Sequence, residues 1–102
     1  MSPFTKDTTW KPTHPSEPHG RLSAAQLNAL PDSAFAFPRS RKEPIIDAAH
    51  VRSALARFNQ VSDVSDADRD LAFANIRRAA EHFGIDMHET DWRQLGETSR
   101  SS

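Results

Sequence analysis

The pattern of apolar and polar positions is clearest after Asp47, where it predicts an amphipathic helix. Asp47 is a suitable N-cap, because its carboxylate can accept a hydrogen bond from an unpaired amide of the first turn. The apolar side chains then recur at the i, i+3, i+4, i+7 spacing of one helical face. They are Val51, Ala54, Leu55 and Phe58. We expect this helix to end at Asn59 and Gln60.

A second long amphipathic pattern predicts a helix from Ser65 to about Phe83. Ser65 followed by Asp68 resembles a capping box, with Asp in place of the preferred Glu or Gln. Gly84 suits the left-handed residue that ends many helices. The predicted inward face consists of Ala72, Phe73, Ile76, Ala79, Ala80 and Phe83.

Before these helices, the pattern is shorter and mixed. Ser23 can cap a short helix over residues 24–30, which must end near Pro31 because a proline disfavours helical backbone in the preceding residue. Phe35 and Phe37 then alternate with alanine, which places both rings on one side of an extended segment. Since no partner run of similar quality follows, we predict a loop pinned to the core rather than a sheet.

Together these elements predict a mainly α fold with three principal helices, the extended aromatic loop and a short fourth helical turn. That turn begins at Thr90 or Asp91 and returns apolar side chains to the core. The helical domain is expected to span residues 21–95. Residues 1–20 contain four prolines and little apolar surface, so we predict a disordered arm there and a disordered tail over residues 96–102.

The composition is that of one ordinary soluble domain. The chain has 102 residues, of which 36% are hydrophobic and 26% charged, and a formal net charge of -1. No run of about 18 apolar residues occurs, so we expect no membrane-spanning helix and no membrane partner. The first residues lack the apolar stretch of a secretory signal, which predicts a cytoplasmic protein, and we expect a monomer.

The chain offers little for metal binding or catalysis. It has no cysteine, and its five histidines form no H-x-x-x-H pair. The acidic run from Asp66 lacks the glycine and glutamate of a calcium loop, because Leu71 and Arg77 stand at its sixth and twelfth positions. No phosphate loop, dinucleotide motif or nucleophile elbow occurs. We therefore predict a non-enzymatic protein with no metal and no cofactor.

The third predicted helix carries a second ridge beside its apolar face. The ridge consists of Leu71, Asn75, Arg78 and His82. An exposed leucine beside arginine and histidine is a suitable contact for another protein, so these residues form the candidate protein-contact site. The alternative is that Leu71 packs under the loop that contains Phe35 and Phe37.

A basic segment over residues 39–57 supplies a different candidate site. Its basic side chains are Arg39, Arg41, Lys42, Arg52 and Arg57. These five stand against two acidic ones, which gives a local balance of +3, whereas residues 63–70 have a balance of -3. The segment could track a phosphate backbone, which makes it the candidate nucleic-acid contact. The alternative is ordinary solvated surface, because a binder usually has a larger basic excess.

Three stretches carry a resemblance to a known family. They are LPDSAFAF (30–37), RKEPIIDAAHVRSALARFNQV (41–61) and SDADRDLAFANIRRAAEHFGI (65–85). The chain resembles a small uncharacterised domain family of actinobacteria and their phages, found alone or joined to phage head-maturation proteases. The resemblance implies a compact helical module that tolerates fusion. The predicted function is accordingly a protein-interaction or accessory module, with nucleic-acid binding as the alternative.

Overall fold

The computed structural model describes residues 8–12 and 23–95. Residues 1–7, 13–22 and 96–102, on which the predictions of disorder mostly fall, lie outside the described residues. In chain order, the elements of the described part are α1 (Ala24–Ala29), a 3-10 turn (Asp32–Ala34), β1 (Phe35–Phe37), β2 (Lys42–Pro44), α2 (Ala48–Arg57), a second 3-10 turn (Phe58–Gln60) and α3 (Asp66–Phe83). Residues 93–95 are also helical. Within this part, no helix has the length and apolarity needed to cross a bilayer.

The helices begin at the predicted capping residues. Ser23 and Gln26 form a reciprocal capping box at the start of α1, and Ser65 and Asp68 form another at the start of α3. At α2, the Asp47 carboxylate accepts the backbone N–H of the third helical residue. The prediction of three principal helices with these starts is therefore confirmed.

The C-terminal end of α3 is also where the sequence placed it. Gly84 has a φ of 75°, in the left-handed region where glycine has no Cβ to clash. Its backbone N–H caps the helix by bonding to carbonyls of the last turn. The chain can therefore leave α3 abruptly and turn back towards the core.

The aromatic loop is half of a small sheet, so the prediction of an unpaired loop is wrong. β1 pairs antiparallel with β2, with Phe35 opposite Pro44 and Phe37 opposite Lys42. The β2 sequence lacks an alternating apolar pattern, and Glu43 within it has a φ of 58°, outside the usual strand region. The domain is therefore mainly helical but not all-α.

The core lies where the hairpin meets the two longer helices. β1 packs on α3, β2 packs on α2, and α2 packs on α3. All three residues of β1 are buried. Val51 and Ala54 of α2 are also buried, as is Phe58, which begins the second 3-10 turn. A smaller cluster joins Phe35 to Leu30, Ala34 and Ile46, near the end of α1.

Trp10 belongs to the core, which corrects the prediction that the whole arm over residues 1–20 is disordered. Its side chain is only 2% exposed, and its indole Nε1–H donates to the Ile45 carbonyl at 2.9 Å. A single tryptophan among polar residues and prolines forms no periodic apolar pattern, so the sequence does not indicate that it is buried. Its partners also lie far along the chain, so no local pattern could reveal them.

Candidate functional site

The ridge residues of α3 have three different environments. Arg78 and His82 are exposed, Leu71 is half-buried, and Asn75 is fully buried. The predicted ridge is therefore not one continuous exposed surface. Leu71 is separated along the helix from the two exposed members by the buried Asn75.

Asn75 is buried because its amide group is fully hydrogen-bonded. Its Oδ1 accepts the backbone N–H groups of Thr9 at 2.9 Å and Trp10 at 3.0 Å. Its Nδ2 donates to Thr9 Oγ1 and to the Ala36 carbonyl, each at 3.0 Å. Two donors and two acceptor positions are all an asparagine side chain offers. Asn75, which the sequence assigned to the candidate protein-contact site, is thus buried, and its amide is already hydrogen-bonded within this chain.

The N-terminal segment, residues 8–12, also reaches His82. The ring centroid of Trp10 lies 5.6 Å from that of His82, in an edge-to-face arrangement. Phe83 completes the aromatic group, 5.9 Å from Trp10. Part of the predicted protein-contact ridge therefore contacts this chain's own N-terminal segment.

Leu71 lies in a shallow depression between the hairpin and the first turns of α3. The depression, which we call the Leu71 depression, is lined by Phe37, Pro38, Arg39, Ser40, Asp68 and Leu71. Its lining includes apolar groups, while Arg39 Nη1 and Asp68 Oδ1 lie 3.9 Å apart as a loose ion pair. Leu71 thus lines the depression together with Phe37 and keeps part of its surface in solvent.

Arg41 holds α1 in place, a structural contact that the basic-segment prediction did not foresee. Its Nη2 donates to the carbonyls of Leu27 and Leu30, each at 2.9 Å. Its Nη1 donates to Asp32 Oδ1 at 2.6 Å, and the guanidinium carbon lies 4.6 Å from the centre of the Phe35 ring. These contacts satisfy carbonyls at the C-terminal end of a helix.

The other basic candidates divide between the fold and the surface. Lys42 Nζ donates to the Ser62 carbonyl at 2.8 Å. Arg39, Arg52 and Arg57 are exposed, and the Arg39 side chain is 85% accessible. The structure thus places Arg39 beside Leu71, a proximity between the two candidate sites that the sequence did not suggest.

A cluster of titratable groups at the junction of β2 and α2 was missed by the sequence-based interpretation. Asp47 Oδ1 lies 2.8 Å from His50 Nδ1. Burial raises the pKa of the Glu43 carboxyl above its usual 4.5, while the nearby charges of Arg57 and His50 act in the opposite direction. The positive φ of Glu43 is visible only in the fold.

Within residues 8–12 and 23–95, no group of three or more His, Asp or Glu side chains is arranged to hold a metal ion.

Comparison with known proteins identifies a family but no activity. The model of DUF6582, a family of unknown function, matches residues 24–90. No curated protein and no solved structure matches the chain. The matched segment includes the three helices and the hairpin, whereas Trp10 and Trp92 lie outside it.

Proposed function

The chain belongs to the DUF6582 family of unknown function, and we propose that it serves as a non-enzymatic protein-interaction or accessory module. As parts of this proposal, the protein acts in the cytoplasm as a monomer without a cofactor. The association with actinobacteria, phages and head-maturation proteases rests on the sequence resemblance alone and stays a prediction.

The half-buried Leu71 is the observation that carries the proposal. It combines apolar surface in contact with solvent and a charged rim, Arg39 with Asp68. Protein interfaces commonly have an apolar centre within a polar border. Covering the exposed part of Leu71 with a partner's side chain is favourable by roughly 25 cal/mol for each Å² of apolar surface removed from water.

The substitution Leu71→Glu tests this surface. We expect the variant to keep its circular dichroism spectrum but to lose a partner that the wild-type chain captures from a native lysate. Ala56→Glu is the control, because Ala56 is exposed on α2, does not line the Leu71 depression and gains the same charge. The control should capture the partner as the wild type does.

Two results would count against the Leu71 depression. Undiminished capture by a folded Leu71→Glu variant is the first. If Leu71→Glu unfolds instead, Leu71 is a core residue, and the rim variant Arg39→Glu then tests the surface without disturbing the interior. Undiminished capture by Arg39→Glu would remove the depression as the contact.

Nucleic-acid binding remains the alternative function. Exposed Arg39, Arg52 and Arg57 favour it, whereas Arg41 and Lys42 already bond to carbonyls within the domain. An amide NMR titration with short single- and double-stranded DNA, at low and near-physiological salt, tests it. Shifts in residues 39–57 that weaken with salt would support binding through phosphate contacts. An unchanged spectrum would remove the alternative.

A further inference from the structure

The N-terminal segment lies on the domain in the manner of a bound peptide. The backbone N–H groups of Thr9 and Trp10 donate to one side-chain oxygen, Asn75 Oδ1. The next residue, Lys11, donates its backbone N–H to the Ser33 carbonyl at 3.0 Å. Main-chain hydrogen bonds of this kind hold a peptide segment whatever its side chains, and side-chain pockets then add selectivity.

Trp10 supplies that side-chain anchor. The buried ring contacts the rings of His82 and Phe83, and its indole N–H reaches the Ile45 carbonyl. A buried aromatic ring with one directed hydrogen bond is the usual form of a dominant interface residue. We call the receiving surface the Trp10 site: Ser33, Ala36, Ile45, Asn75, His82 and Phe83.

The Trp10 site and its occupant belong to different parts of the chain. All residues of the site lie within the segment 24–90 that defines the family, whereas residues 8–12 lie outside it. The hydrogen bonds that join them span 22 to 66 positions of sequence. The residues that contact Trp10 thus lie within the part of the chain that the family model matches, and Trp10 lies outside it.

We propose that the Trp10 site is a peptide-binding site, filled here by the chain's own N-terminal segment and able to take the same motif from a partner protein. The partner presents a serine or threonine, then tryptophan, then a residue other than proline. This inference rests on one part of the proposed function, namely that the domain binds other proteins. It shares no residue with the Leu71 depression.

Each position of the motif follows from a contact. The hydroxyl residue accepts a hydrogen bond from Asn75 Nδ2, as Thr9 does. Tryptophan fills the aromatic site and, unlike phenylalanine, satisfies the Ile45 carbonyl. The third residue must donate its backbone N–H to the Ser33 carbonyl, which proline lacks.

The attached segment and a partner's segment compete for the site. Because residues 8–12 belong to the same chain as the site, they compete with a separate peptide intramolecularly, at an effective concentration that does not depend on the protein concentration. The wild-type chain therefore binds a separate peptide weakly, and removal of the Trp10 side chain frees the site. This competition makes the proposal measurable with the full chain.

The test is a titration of full-length Trp10→Ala with the capped pentapeptide TTWKP, which reproduces residues 8–12. We expect the peptide to bind this variant on the order of 100-fold more tightly than the wild type, because no tethered segment competes. Binding should shift the Asn75 side-chain amide signals and raise the melting temperature. The peptides TTAKP and TTWPP serve as controls and should bind far more weakly.

Failure of TTWKP to bind a folded Trp10→Ala variant at millimolar concentration would overturn the proposal, as would equal binding of TTAKP. If Trp10→Ala does not fold, Trp10→Phe keeps the ring and removes the indole donor. The peptide should then raise its melting temperature, and no change would count against the site. Leu71→Glu in the Trp10→Ala background should leave peptide binding intact, so the two surfaces can fail independently.

Discussion

Glu43 combines two unfavourable conditions in one residue. Its φ of 58° is in the left-handed region, which a residue with a Cβ enters at a cost of about 1 kcal/mol or more. Its carboxyl is also desolvated enough to raise its pKa, even with Arg57 and His50 nearby. Glu43 therefore destabilises the fold both through its backbone conformation and through the partial burial of its carboxylate.

The raised pKa of Glu43 predicts a pH-dependent stability. Because the folded chain favours the protonated carboxyl, its contribution to the free energy of unfolding is full below the usual glutamate pKa and is lost as pH rises through the raised value. Glu43→Gln should therefore gain stability relative to the wild type between pH 4 and pH 7, measured by urea unfolding. Glu81→Gln, at an exposed site, controls for the loss of a carboxylate. A constant difference between Glu43→Gln and wild type at both pH values would contradict this assignment.

Asn75 shows how one buried polar residue can escape detection in a sequence. In a helix, an asparagine on the flank of an apolar face is usually interpreted as exposed, because burying an unpaired amide is costly. Here the amide has four partners, which Thr9, Trp10 and Ala36 supply. Since those partners are 39 to 66 positions away, the sequence near Asn75 could not indicate them.

At the scale of single elements, α1 depends on Arg41. A helix of six residues is too short to be stable alone in water. The guanidinium joins two of its C-terminal carbonyls to Asp32, and it does so from the hairpin that follows. The hairpin and α1 therefore stabilise one another, although neither has a strong sequence pattern.

We predict that Arg41→Ala weakens α1 selectively. Loss of hydrogen bonds from a charged donor should lower the free energy of unfolding by about 1.5–3 kcal/mol. Hydrogen exchange of the amides over residues 24–30 should accelerate more than that of α3. Arg52→Ala, at an exposed position of α2, is the matched control and should have little effect on either quantity. Equal effects of the two substitutions would show that Arg41 is ordinary surface.

The elements that the sequence predicted are those whose signals are local. Ser23, Asp47 and Ser65 each cap amides within three residues, and Gly84 ends α3 through its own backbone freedom. The hairpin escaped prediction because β2 has no strand pattern of its own. In the candidate sites, helical spacing singled out Leu71, but it could not decide between an exposed contact and packing on the aromatic loop, because that loop is distant along the chain.

On the scale of the whole molecule, two tryptophans from outside the family segment, residues 24–90, pack against its core. Trp10 covers one end of α3. Trp92 donates its indole N–H to Asp70 Oδ1 at 2.8 Å, and its ring lies 6.0 Å from that of Phe58. Leu95 is buried beside the same cluster. The core therefore extends beyond residues 24–90 in both directions.

A chain limited to residues 24–90 should consequently fail to melt cooperatively. Loss of the buried Trp10 side chain costs about 3–5 kcal/mol and loss of the buried Leu95 about 2–5 kcal/mol, and the half-buried Trp92 adds to both. The total approaches the roughly 5–15 kcal/mol that stabilises a typical domain. Thermal unfolding followed by circular dichroism compares this fragment with the full chain and with a fragment of residues 8–95. A cooperative transition of the short fragment at the full-length temperature would show that the flanking tryptophans are dispensable.

The docking of Trp10 also affects the order in which the protein matures on the ribosome. Trp10 is synthesised before Asn75, which binds its backbone and follows 65 positions later. At about 5–20 residues per second, translation leaves an interval of roughly 3–13 s between the two. The Trp10 side chain of the nascent chain is therefore not yet buried while α3 is being synthesised. A chaperone that binds exposed aromatic side chains can bind Trp10 during that interval.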